Sequence, residues 1–516
     1  MNPESRTSKS IKNAKVALLF YFINLILQFF SRKIFLDYLG AEVLGLNTTA
    51  QNLLSFLNLA ELGIGTAISY TLYKPLFQKD TETINEIVSV QGWLYRKIAY
   101  VVIAGACVLM CFFPSFFHKA ELPLWYAYGS FIVLLISSLL SYFINYRQIV
   151  LIADQQEYKI TLNIQGFKII KVILQILAIR YLSNGYVYWL ILEFIMAIVT
   201  ALILDKLLKR EYPWLTATPS SGKALRKKYP EIIIKTKQIF FHKIGGFALT
   251  QTSPLIIYAY TSLTLVAIYG NYMLIVNGVI LLMNALLNSV NAGVGNLVAG
   301  KNKKTIKKVF WELTSIRVWM ASLICLGIYK QSHSFISLWI GYAYLMDDPA
   351  FIALVIYTFI LLSRTNDTFL YAYGLYQDIW APLAEAILNI GCSILLGYFY
   401  DLTGILSGVI ISQIFIVCMW KPYFLYKKGF KENITEYITG QFKYMILLFF
   451  SCYGTIWLLN RLPIEEVINY WIWFKQTITI ISLYTVISLP LFIAFDKGSR
   501  DFICRVTMII KKLLTK

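Results

Sequence analysis

Runs of roughly 20 predominantly apolar residues, separated by short polar, glycine- or proline-containing stretches, recur along almost the whole chain. A bilayer core of about 30 Å takes about 20 helical residues to cross, so each run predicts a membrane-spanning helix. In the first half the runs fall near 16–36, 46–72, 98–117, 124–146, 160–180 and 185–205. In the second half they fall near 239–260, 264–290, 311–330, 350–373, 380–398, 402–425, 442–460 and 474–495. The expected fold class is an all-α polytopic membrane protein with about 14 transmembrane helices. Charge blurs the segments at 232–260 and 311–330.

The polar intervals give this segmentation an independent check. With the N-terminus placed in the cytoplasm and loops alternating, the inner regions hold 33 Lys and Arg residues and the outer loops four, Lys119, Arg180, Lys330 and Arg461. Short cytoplasmic loops are enriched in Lys and Arg, and one span gained or lost early would invert every later loop. Both termini are therefore expected in the cytoplasm.

Composition narrows the class further. Of the 516 residues, 58% are hydrophobic and 14% charged, against about 25% charged in an ordinary soluble domain. The net charge of +20 suits an anionic cytoplasmic membrane surface. No soluble domain is left over to bind nucleic acid, so no nucleic acid is expected as a partner. The seven Cys and three His residues have neither metal-ligand nor disulfide-framework spacing, and no metal or cofactor is expected. The polar, basic start leads into an apolar run too long for a signal-peptide core, so the first span is expected to stay as an anchor.

Four segments suggest themselves: an N-terminal six-helix lobe (1–205), a basic cytoplasmic connection (206–238), a C-terminal lobe (239–425), and two additional helices with a cytoplasmic tail (426–516). The connection, rich in Lys and Arg and punctuated by proline and glycine, could tether two bundles that rock against each other. A faint likeness between LGLNTTAQNLLSF and VAIYGNYMLIVNG hints at an internal repeat. Small residues in GIGTA, NAGVG and GILSG would let helices approach closely. External loops are short, Glu465 and Glu466 are adjacent rather than a helical pair, and no glycine-rich phosphate cradle occurs, so an enzyme is not expected.

Charge inside apolar segments is the remaining chemistry. Arg32 and Lys33 close one long apolar stretch, Glu61 lies in LNLAELGIGTAI, Lys243 in FFHKIGG and Arg364 in FILLSRTNDTF. Such groups need a partner, a water-filled cavity or a route to the interface. Arg32 lies about 24 Å along a helix starting at Val16, so it could face a cavity or reach the outer headgroups. Lys243 could attract a ligand at the inner entrance or simply reach the headgroups, and Glu61 could orient a cation or serve local structure. Glu193, and Arg317 with Glu312, carry weaker claims. An excess of cations favours an anionic ligand, because Arg offers matched hydrogen bonds to phosphate. Outward movement of two negative charges would gain about 4.6 kcal/mol per 100 mV of inside-negative potential.

The sequence resembles the polysaccharide flippase branch of the multidrug/oligosaccharidyl-lipid/polysaccharide exporter (MOP) superfamily. The resemblance runs through SRKIFLDYLGAEVLGLNTTAQNLLSFLNLAELGIGTAISYTLY (31–73), HKIGGFALTQTSPLIIYAYTSLTLVAIYGNYMLIVNG (242–278), GVGNLV (293–298) and RTNDTFLYAYGLYQDIWAPLAEAILNIGCSILLGYFYDLTGILSGVIIS (364–412). It implies two pseudo-symmetric bundles around a central cavity in the bacterial inner membrane. It also implies export of an undecaprenyl-diphosphate-linked oligosaccharide for capsule, O-antigen or a related glycan, with a polysaccharide polymerase and assembly proteins as partners. Arg32, Lys243 and Arg364 occupy basic positions of the matching segments, and Glu61 would organise the lining. Gln251, Thr252, Ser253 and Pro254 stand where related segments often place Asp. A drug or organic-cation antiporter, a membrane glycan polymerase or ligase, and a nonconducting scaffold are the competing readings.

Overall fold

The computed structural model describes the backbone of residues 6–514 except 62, 300, 301, 376, 377, 379 and 464. Side chains at 6–11, 14, 60, 238, 241–246, 248–250, 284–293, 296, 299 and 509–514 also lie outside the described residues. Among the described residues every regular element is helical. Among the described residues, eleven helical segments are long and apolar enough to cross a membrane, making this a multi-pass membrane protein.

Two of the eleven are long enough to cross twice. The Arg6–Leu57 helix is broken at Gly40, whose φ of 83° and ψ of 168° reverse the chain between the expected first and second spans. A side chain there would strain the backbone, whereas glycine adopts positive φ freely. The Trp380–Phe430 segment breaks at Tyr400 and Asp401. Beyond that break the chain returns along itself, with the Ser393 hydroxyl donating to the Ile405 carbonyl at 2.9 Å. The GILSG stretch permits this: a Cβ on Gly408 would stand 2.3 Å from the Ser393 amide nitrogen. The expected seventh span is helical as Pro230–Gln251 and Ser253–Tyr260. These features recover the fourteen segments read from the sequence.

The chain forms two compact units, Met1–Ala267 and Ile268–Lys516. In the first, a core of Phe35, Val43, Ile179, Tyr186 and Leu190 packs the chain on both sides of the Gly40 turn. Polar side chains pair across its apolar helices, as where Asn24 donates to Gln165 at 3.0 Å and Tyr186 donates to Asn47 at 3.0 Å. The connection at 206–229 is bound to this unit rather than hanging free. Asn85 donates to the Trp214 carbonyl at 3.1 Å, Arg147 to the Ala217 carbonyl at 3.0 Å, and Lys228 pairs with Glu86 at 2.6 Å.

In the second unit the Lys303–Ile340 helix is the most enclosed of the spans. Phe310 on it is fully buried among Phe369, Tyr426 and Phe430. Farther along, Val318 meets Tyr444, Leu447 and Phe492 of the two C-terminal spans.

Candidate functional site

A break in a membrane helix creates the principal cluster. The Asp348–Leu362 helix stops at Ser363, and a new helix, Thr365–Ala372, begins after Arg364. A broken helix frees backbone groups that hydrocarbon cannot satisfy. Here Arg317, one helix away, donates through Nη1 to the Arg364 carbonyl at 2.8 Å and through Nη2 to the Thr368 hydroxyl at 3.2 Å.

The Arg364 side chain extends the cluster. Its Nη2 donates to Gln413 and lies 3.8 Å from Glu385, while Gln413 donates to the same Glu385 oxygen at 3.0 Å. Lys421 pairs with Asp367 at 2.8 Å. The five ionisable groups are mostly buried; three are cationic and two acidic, leaving one positive charge in excess. The buried Arg364 Nε has no hydrogen-bond acceptor among the described residues.

Arg364 also forms part of the wall of a cavity of about 1040 Å³ within the second unit. The π-helical stretch Ile414–Trp420, just before Pro422, also lines it. Pro422 has no N–H to offer the carbonyl four residues back, and the helix beside it widens. Trp380 and Trp420, ring centroids 4.5 Å apart, border the cavity, as do Phe442 and Met445. An arginine set in a largely apolar wall suits an amphiphile with an anionic part.

The other expected site residues, Arg32, Glu61 and Lys243, belong to the first unit. Arg32, in the first unit, donates through Nη2 to the Ala267 carbonyl at 3.3 Å. Glu61 ends the Asn58–Glu61 turn and accepts from the Tyr95 hydroxyl at 2.9 Å. It lies about 30 Å of helix rise beyond the Gly40 turn, whereas Arg32 lies about 12 Å before it, so the two do not meet. Lys33 pairs with Asp37 at 3.6 Å on an exposed face. Lys243 falls in the Pro230–Gln251 helix, but its side chain lies outside the described residues. Glu312 takes Arg505 at 2.8 Å as its partner, and Arg317 serves the helix break instead.

Sequence reading passed over several members of these networks. Asp367, Glu385 and Lys421 are recognisable only once the chain folds back at Asp401. The first unit holds a further network: Lys171 pairs with Glu193 at 2.6 Å, and Gln175 donates to the other Glu193 oxygen at 3.0 Å. A neighbouring cavity of about 230 Å³ is bordered by Lys168, Asn145 and Gln148. The Asn145 and Gln148 carbonyl oxygens are buried without donors among the described residues. Lys168 and Lys171 differ by three positions, a one-face helical spacing legible in the sequence.

No protein-family model matches the sequence, and no curated protein matches it either. Among solved structures, the chain is similar to the lipid II flippase MurJ in an inward closed conformation. The TM-score is 0.61 at 14% identity, covering 92% of this chain and 98% of that one. It is also similar to an inward-facing multidrug resistance MATE family transporter of the MOP superfamily, with a TM-score of 0.56 at 13% identity, covering 85% and 98%. The chain therefore shares the fold of these two structures.

Proposed function

We propose that this chain is a flippase that moves an undecaprenyl-diphosphate-linked oligosaccharide from the cytoplasmic to the outer leaflet by alternating access. The observation that carries the reading is the surplus positive charge of the cluster built by Arg317, Arg364 and Lys421, of which Arg364 lines a large, mostly apolar cavity. A diphosphate is costly to move through hydrocarbon, and a cationic, hydrogen-bonding wall lowers that cost. Arg364 contacts the anionic headgroup, Arg32 contributes a second cation, Lys243 assists entry and Glu61 organises its surroundings through Tyr95. The fold shared with a lipid II flippase supports movement of a lipid-linked substrate without covalent change.

The shared fold of a multidrug transporter supports a second reading, an organic-cation antiporter. Its acidic candidates, Glu193, Glu385 and Asp367, are each engaged by a basic or amide side chain. Reconstitution into liposomes decides between the readings. A sidedness-sensitive probe follows a diphosphate-linked oligosaccharide in one arm, and uptake of a fluorescent organic cation is followed in the other. The flippase reading expects the oligosaccharide to change leaflets at constant glycan length. Cation uptake with no movement of the lipid-linked glycan would replace it by the antiporter.

A further inference from the structure

We infer that the second unit carries another anion site, away from Arg364, that seats the headgroup of a phospholipid bearing two phosphodiesters. This inference does not depend on the transport reading, since it concerns a pocket complete within the second unit.

Two helices build the pocket with the same spacing. Lys304, Lys307, Lys308 and Trp311 follow the i, i+3, i+4, i+7 pattern and share one face of the Lys303–Ile340 helix. Glu436, Thr439, Gly440 and Lys443 repeat that pattern on the Thr435–Leu459 helix. The beginning of the Lys497–Leu514 helix forms the third side, and the open pocket so formed has a volume of about 630 Å³. Glycines allow the close approach. A Cβ on Gly440 would fall 2.2 Å from Cη2 of Trp311, and one on Gly498 would fall 2.5 Å from the Trp311 carbonyl oxygen. The Trp311 indole is fixed in turn by donating to Glu436 at 3.0 Å.

The charges in the pocket do not cancel. Lys307 is held by Glu436 and, at 2.5 Å, by Glu432; Lys308 is held by Asp501 at 3.1 Å; and Lys443 is held by Asp496. Asp496 is buried, which by itself raises its pKa. Hydrogen bonds from Lys443, Ser315 and the Ser499 amide outweigh that effect and hold it below the ordinary carboxylate value, so it stays ionised against Lys443. Lys304 and Lys497 make no ion pair among the described residues and face the same cavity. Five Lys side chains against four carboxylates leave one net positive charge, and the two ammonium groups that make no ion pair among the described residues are placed to take one phosphodiester each.

A lipid suits the pocket better than a free anion because of what lies beside it. Ile446, Phe450 and Trp457, at i+3, i+7 and i+14 from Lys443 on the Thr435–Leu459 helix, continue its face as an exposed apolar strip. A headgroup held by Lys304 and Lys497 would lay its acyl chains there. Basic pockets between membrane helices bind doubly charged lipid headgroups in this way.

The test uses delipidated full-length protein in neutral detergent, with cardiolipin, phosphatidylcholine and inorganic phosphate as probes and native mass spectrometry as the readout. The wild type is expected to bind cardiolipin at least ten-fold more tightly than phosphatidylcholine, with inorganic phosphate failing to compete. The double variant Lys304→Gln/Lys497→Gln, which breaks no ion pair, should lose that preference at an unchanged melting temperature. The control Lys223→Gln/Lys227→Gln, which removes two charges elsewhere, should keep it. A double variant retaining the preference within two-fold, equal loss in the control, or full competition by inorganic phosphate overturns the inference.

Discussion

The two units accommodate charge within their membrane-spanning helices in different ways. The first unit disperses it: Arg32 rests on a backbone carbonyl, Glu61 on a tyrosine hydroxyl, and Glu193 on Lys171 and Gln175. The second gathers Arg317, Arg364, Asp367, Glu385 and Lys421 around one helix break, with cations in the majority. Of these contacts only Lys171–Glu193 joins opposite charges, and each is local to its own pair of elements. A cluster with a surplus keeps charge to offer a ligand, and its members depend on one another.

That interdependence predicts the largest stability effect. Asp367→Asn leaves Lys421 buried without its counterion, and breaking such a pair costs about 3–5 kcal/mol. The double variant Asp367→Leu/Lys421→Met should recover much of this loss, read as melting temperature in detergent. Full loss in the double variant would mean that the pair is not an isolated unit. In the first unit, Glu193→Gln should cost about 2 kcal/mol, because Lys171 loses a charged acceptor while Gln175 keeps a neutral one. Glu61→Gln should cost about 1 kcal/mol or less, since the amide oxygen still accepts from Tyr95. Equal losses at Glu61 and Asp367 would erase the contrast between the units.

Acid provides a further probe at the edge of the second unit. Asp496 has a folded pKa below its ordinary value of about 3.9. It therefore contributes stability above that value and loses it as pH falls through the folded pKa. The stability difference between wild type and Asp496→Asn should narrow as pH is lowered from 6 toward about 3; a gap that widens instead would contradict the pairing with Lys443. The smallest effect is expected at the exposed Lys33–Asp37 pair, where Lys33→Gln should change stability by about 0.5 kcal/mol or less.

Much of the architecture could be read from hydrophobic spacing, because membrane helices must bury long apolar runs whatever their neighbours do. The hairpins at Gly40 and Asp401 were legible only as short polar gaps. Arg364 was visible because a lone arginine in an apolar run is costly. Asp367 and Lys421 were not, because their significance comes from a contact between residues 54 positions apart in the chain. The helix break at Ser363–Arg364 has no proline or glycine to announce it, and Arg317 sustains it from another helix. The connection at 206–229 reads as a tether by composition, yet backbone carbonyls at Trp214 and Ala217 fasten it to the first unit. Periodicity cannot reveal bonds of that kind.

The central claim is that positive charge at an apolar cavity recognises an anionic, lipid-linked headgroup. Its most direct measurement compares translocation, in liposomes holding equal amounts of protein, of one oligosaccharide carried on a polyprenyl diphosphate and on a neutral polyprenyl glycoside. The account predicts that the diphosphate form crosses at least ten-fold faster and that Arg364→Gln largely removes the advantage. Equal rates for the two carriers, or an advantage untouched by Arg364→Gln, would contradict it.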